Sequence, residues 1–184
     1  MNNTVFSIAE MQKSDDHGVP YNEKRDTTLL YQIPLKEDGA GVGPAGSIIT
    51  NLEELSHWVI ALMNEGQYKG TQVFSKTIID ETMKPGIGFK NQQLEDKGYD
   101  EILNTFYGMG RDISVYKGHV MTSHGGAMPG FYSQVIILPY DDIGIITFSI
   151  GSHASLIGNT IAGYNLVDRM LGLEQTDWNG RLLK

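Results

Sequence analysis

The chain has 184 residues, 40% apolar, 20% charged and 9% aromatic, which is enough for one globular domain with a real core. It carries 14 basic and 22 acidic residues, a net charge of −8, with no run of Lys or Arg, so nucleic acid and anionic membranes are poor partners. Cysteine is absent, which excludes disulfides and thiol chemistry, and no apolar run approaches the ~18 residues of a membrane span.

In chain order, residues 1–46 show little periodicity and many turn formers, among them Asp15-Asp16-His17-Gly18, Pro20, Pro34 and a Gly-rich cluster over 39–46. No basic or apolar leader is visible at Met1-Asn2-Asn3-Thr4. So long an irregular stretch is either functional or a sign that a neighbouring segment is missing. Thr50-Asn51-Leu52-Glu53 reads as a capping box with Thr50 as the N-cap, and Leu52, Leu55, Val59 and Leu62 follow at helical spacing up to Gly66. A shorter helix is expected over 75–83. Residues 86–104 read as a loop with room for a short helix.

From about residue 106 the texture turns to β. Residues 111–116 and 119–123 flank the hairpin signal Lys117-Gly118, and 131–138 and 143–150 flank Pro139-Tyr140-Asp141-Asp142. Val135-Ile136-Ile137-Leu138 is apolar on both faces, as expected of a strand covered on both sides. A closing helix fits 155–171. The expected class is α+β: a loop-rich helical segment over 1–105, then an antiparallel sheet of at least three strands with its last helix over 106–184.

The five histidines, His17, His57, His119, His124 and His153, show no metal-ligand spacing, and no cofactor motif is present. No G-x-S-x-G elbow and no phosphate-binding glycine loop occurs. The segment that draws attention is Ser123-His124-Gly125-Gly126-Ala127-Met128-Pro129-Gly130-Phe131, at the end of one expected strand and before the most apolar one. Two glycines there let something approach the backbone closely, and His124 adds a titratable donor. A Gly-rich turn with a surface histidine is the plainer alternative.

An ordered string of signals resembles the C-terminal part of the serine β-lactamase and penicillin-binding protein family, the branch with class C β-lactamases, DD-peptidases and related esterases. It runs through Met1-Asn2-Asn3-Thr4-Val5-Phe6-Ser7, then Pro44-Ala45-Gly46-Ser47 to Leu55, then Tyr107-Gly108-Met109-Gly110 with Arg111 where the family has an aromatic. The 123–131 segment and the hairpin from Ile137 to Ile146 complete it. The resemblance implies that His124-Gly125-Gly126 is the family's third motif, on the strand lining the active site. His124 would position substrate or support proton transfer, and the Ala127 N–H would be an oxyanion donor. Gly125 and Gly126 would admit the substrate backbone, with Pro44 and Ala45 bordering it. The resemblance calls for no cofactor.

The family's nucleophile lies in S-x-x-K, and only Ser114-Val115-Tyr116-Lys117 matches. That stretch is an expected strand, where alternation sends Ser114 and Lys117 to opposite faces. Y-x-N, the second motif, has no match. The expectation is therefore a C-terminal portion of a longer, exported serine acyl hydrolase acting on a β-lactam, D-Ala peptide, amide or ester, inactive alone. A non-catalytic binding protein reusing the sheet is the alternative. An incomplete sheet would leave the 143–150 strand as an apolar edge, and homo-oligomers through it or through helix faces are expected.

Overall fold

The computed structural model describes residues 1–25, 27–35, 43–88 and 99–182. The chain divides into two compact units, one of Met1–Ser56, Gly125–Gln134 and Ile146–Lys184, the other of His57–His124 and Val135–Ile145.

In the first unit, the described residues of 1–46 form short elements: α1 (Ile8–Met11), capped by Ser7, the hairpin of β1 (Tyr21–Glu23) and β2 (Leu30–Gln32), and α2 (Gly43–Gly46). Val5 bridges Ile49, which brings the start of the chain beside the entrance of α3 (Leu52–Met63). The cap of α3 differs from the sequence expectation. Asn51 Oδ1 accepts the Glu54 N–H at 2.9 Å, so Asn51 is the N-cap, one residue later than expected. Thr50 is instead drawn away to the Thr4 hydroxyl, 2.9 Å distant. The closing helix α5 (Ala154–Met170) turns back through α6 (Trp178–Leu182). The Tyr164 and Trp178 rings meet at 4.9 Å, and Asp168, fully buried, accepts the Thr176 N–H. Gly130 is needed where it stands: its φ is +85°, and a Cβ there would meet Pro20.

In the second unit, the hairpin of β3 (Gln67–Tyr68) and β4 (Thr71–Gln72) leads to α4 (Lys76–Thr82), capped by Ser75. Beyond it lie β5 (Ile87–Gly88), β6 (Ile102–Gly108) and β7 (Arg111–Tyr116). The strands β8 (His119–Met128), β9 (Phe131–Leu138) and β10 (Ile143–Ile150) each have residues in both units, and the sheet has the order β10-β9-β8-β7-β6-β5 among the described residues. Antiparallel ladders are recorded for β5–β6, β6–β7 and β7–β8. The core of this unit is Val59, Ala61, Leu62, Ile113, Tyr116, Met121, Ile136, Ile137 and Leu138, all buried. Ile136, Ile137 and Leu138 have no exposed surface at all, which accounts for the unbroken apolar run of β9.

Of the six strands of this sheet, β7, β9 and β10 occupy the spans expected from the sequence, while β5, β6 and β8 depart from them. β6 begins at Ile102, inside the expected loop, and residues 89–98 of that loop lie outside the described residues. Its alternation is hidden by a bulge: Leu103 pairs with Val115 but Phe106 with Ile113, leaving one extra residue on β6. β8 does not stop at Ser123 but continues to Met128, so His124-Gly125-Gly126-Ala127 lies within a strand rather than at its end. Glycines carry no β propensity, and here the neighbouring strand β9 keeps them extended.

Candidate functional site

The β7–β8 ladder runs from Tyr116↔His119 to Asp112↔Ser123. β7 begins at Arg111, so by the same register β8 from Gly125 onward continues past the ladder. A strand that outruns its neighbour presents backbone donors and acceptors that an extended ligand can pair with. His124 stands at that point and is exposed.

Around His124 the second unit builds a polar group. Tyr107 pairs across the ladder with Asp112, and Asp112 with Ser123, which sets one residue from each of β6, β7 and β8 in a row. The Tyr107 hydroxyl lies 3.2 Å from His124 Nε2, with the two rings 6.1 Å apart. Burial pushes the Asp112 carboxyl above its ordinary range, and the nearby His124 charge partly opposes that shift. Beside them Arg111, buried, donates from Nη1 to Thr122 at 3.0 Å and stacks over the Trp58 ring at 5.6 Å. Desolvation lowers the guanidinium from its ordinary value. Arg111 is thus held between the Trp58 ring and the Thr122 hydroxyl.

Gly125 and Gly126 belong to the first unit. A Cβ on Gly126 would strike the Ser133 hydroxyl, and one on Gly125 would stand 3.2 Å from Gln134 Oε1 and 3.7 Å from a Leu156 methyl. The space the two glycines leave is therefore taken by β9 and α5 side chains. Ala127 is exposed on β8, and Pro44 and Ala45 are exposed on α2. Residues 39–42 of the Gly-rich loop lie outside the described residues. Ser114 is 6% exposed opposite Met121, and Lys117 sits in the following turn at φ +46°, so the lone S-x-x-K match forms no exposed pair on a helix. Among the described residues no group of three or more His, Asp or Glu could hold a metal ion, and no helix is long and apolar enough to cross a membrane.

Sequence reasoning did not single out Tyr107 or Asp112 as site residues. The register that sets them opposite each other depends on the bulge in β6, a property of the paired strands and not of either one alone.

No family model matches the chain. Unguisins hydrolase ungD of Aspergillus violaceofuscus (strain CBS 115571) is 24% identical over 160 residues, covering 83% of this chain and 28% of its own length. Unguisins hydrolase ungD' of Aspergillus campestris (strain IBT 28561) is 22% identical over 190 residues, 97% of this chain and 32% of its own. The chain spans less than a third of the length of these curated relatives. Among solved structures, the octameric penicillin-binding protein homologue from Pyrococcus abyssi superposes with a TM-score of 0.71 at 16% identity, over 95% of this chain and 35% of its own. The α+β fold of this chain is therefore similar to that of the penicillin-binding protein homologue.

Proposed function

We propose that this chain is the C-terminal part of a serine acyl hydrolase of the β-lactamase and penicillin-binding-protein type, contributing the substrate-lining strand but not the nucleophile. The reading is supported by a fold match over 95% of the chain, together with a His-Gly-Gly run on β8, the strand that continues past its β7 ladder. Two hydrolases among the relatives point the same way.

In this reading the acyl substrate lies extended along β8 from Gly125, and His124 donates a hydrogen bond to it. The Ala127 N–H faces the oxygen that becomes negative in the tetrahedral intermediate, a contact worth about 10²–10³ in rate where such donors have been removed. Pro44 and Ala45 border the substrate. In this reading the nucleophilic serine and its lysine are not supplied by the 184 residues. Candidate substrates are a β-lactam, a D-Ala-terminated peptide, an amide or an ester, and an unguisin by analogy with the relatives' names.

The test compares the 184-residue chain with a version extended by the residues upstream of Met1 in its reading frame. Nitrocefin and a p-nitrophenyl ester should be untouched by the chain alone and turned over by the extended version, with the activity lost in His124→Ala. Turnover by the 184 residues that disappears in Ser114→Ala would overturn the assignment of the nucleophile. An extended frame with no S-x-x-K upstream would favour the non-catalytic binding protein instead. The same reading includes self-assembly, as in the octameric homologue. Among the described residues β10 is an edge strand of the sheet and exposes Phe148 and Ile150, and a strictly monomeric chain in light scattering at micromolar concentration would remove this part.

A further inference from the structure

We propose that Tyr107 is the positioning residue of His124: its hydroxyl donates to Nε2, which keeps the imidazole in the Nδ1–H tautomer and turns that N–H toward the ligand side of β8. Which ring nitrogen carries the proton is set by the hydrogen bond the other one makes. A phenol is a good donor, and the Tyr107 oxygen stands 3.2 Å from Nε2.

Two features of the backbone place this hydroxyl. The first is the bulge in β6. Upstream of it the pairs are Ile102↔Tyr116 and Leu103↔Val115, and downstream Phe106↔Ile113, Tyr107↔Asp112 and Gly108↔Arg111. The extra residue sets Tyr107 opposite Asp112 instead of Arg111, so it stands in the row of Asp112 and Ser123 while its hydroxyl reaches diagonally to His124, the next residue along β8. Asn104 takes the left-handed conformation inside the bulge, at φ +53°, a conformation asparagine tolerates. Bulges that re-aim a side chain are over-represented beside active sites.

The second feature is the clasp on the far side of β6. Gly86 and Gly108 approach so closely that a Cβ on Gly108 would stand 3.1 Å from Gly86 Cα, and one on Gly86 would strike the Tyr107 carbonyl. This fixes the backbone at the Tyr107 carbonyl and Gly108, the base from which the Tyr107 ring reaches His124. Asp112, opposite Tyr107, is the charged group that faces the pair from β7.

The inference takes its catalytic meaning from the hydrolase reading above, but its test needs no activity. In the 184-residue chain with 15N-labelled histidine, long-range proton–nitrogen spectra at pH 8 read the tautomer of each ring. His124 should show a protonated Nδ1 and a bare Nε2, and Tyr107→Phe should lose that pattern. The other four histidines serve as controls, because their neighbours are Ser14, Tyr68, Asp141 and Tyr132. An unchanged His124 pattern in Tyr107→Phe overturns the proposal. If that variant disturbs all five rings, the reverse measurement decides: the Tyr107 ring carbon bearing the hydroxyl should shift in His124→Ala, and no shift overturns it. A null here leaves the hydrolase reading standing, and a chain that never hydrolyses anything leaves this pair standing.

Discussion

The Glu54 carboxylate accepts the Thr4 hydroxyl at 2.6 Å, and so ties the beginning of the chain to the first turn of α3. It also accepts the Asn2 and Asn3 N–H groups at 2.6 and 3.1 Å. One side chain at the N3 position thus satisfies three donors from a segment with little structure of its own.

That clamp depends on charge. The Thr4 hydroxyl, followed by the Asn3 and Asn2 N–H groups, holds Glu54 down from its ordinary 4.5 to about 2. A carboxyl with a depressed folded value adds stability that is present above its unfolded value and lost as pH falls toward the folded one. The window is therefore between about pH 4.5 and 2. Glu54→Gln should lower the thermal midpoint at pH 7 and narrow the gap to wild type as pH drops through that window. A gap that stays constant from pH 7 to pH 2 would show that the charge does not matter.

α3 is seated on β10 through a missing side chain. A Cβ on Gly144 would stand 2.7 Å from a Val59 methyl and 2.8 Å from the Met63 sulfur. Gly144→Ala should cost about 1–3 kcal/mol in urea unfolding, the usual penalty for overpacking. Val59→Ala in the same chain should recover part of it. An additive double variant would mean the two do not touch.

The turn between β6 and β7 carries a residue in the wrong conformation for its type. Met109 has φ +50° and Gly110 φ +75°, a pair of left-handed residues, and the Met109 side chain is 71% exposed. Left-handed backbone costs an ordinary L-residue roughly 1–2 kcal/mol, whereas glycine adopts it freely. Met109→Gly should therefore raise stability by about 1 kcal/mol. A loss would indicate that Met109 makes contacts that outweigh the strain.

Gly126 offers a milder case. Only the Ser133 hydroxyl obstructs a Cβ there, and that hydroxyl can rotate away. Gly126→Ala should change stability by less than about 1 kcal/mol, and Ser133→Ala should erase what change there is. A much larger cost would mean that β8 and β9 cannot relax at this point.

Much of this fold follows from the sequence by itself. Helical spacing pointed to α3 and α5, and turn signals with apolar runs pointed to the strands β7, β9 and β10, because these features lie within a few neighbouring residues. Residue order alone also brought His124-Gly125-Gly126 to notice. Tertiary structure decided the rest. The Glu54 carboxylate engages residues 50 to 52 positions away, a separation no local pattern records. β8 stays extended to Met128 because β9 lies beside it, although glycines argue against a strand. Tyr107 stands opposite Asp112 because one extra residue in β6 shifts the ladder, and such a shift exists between strands, never within one.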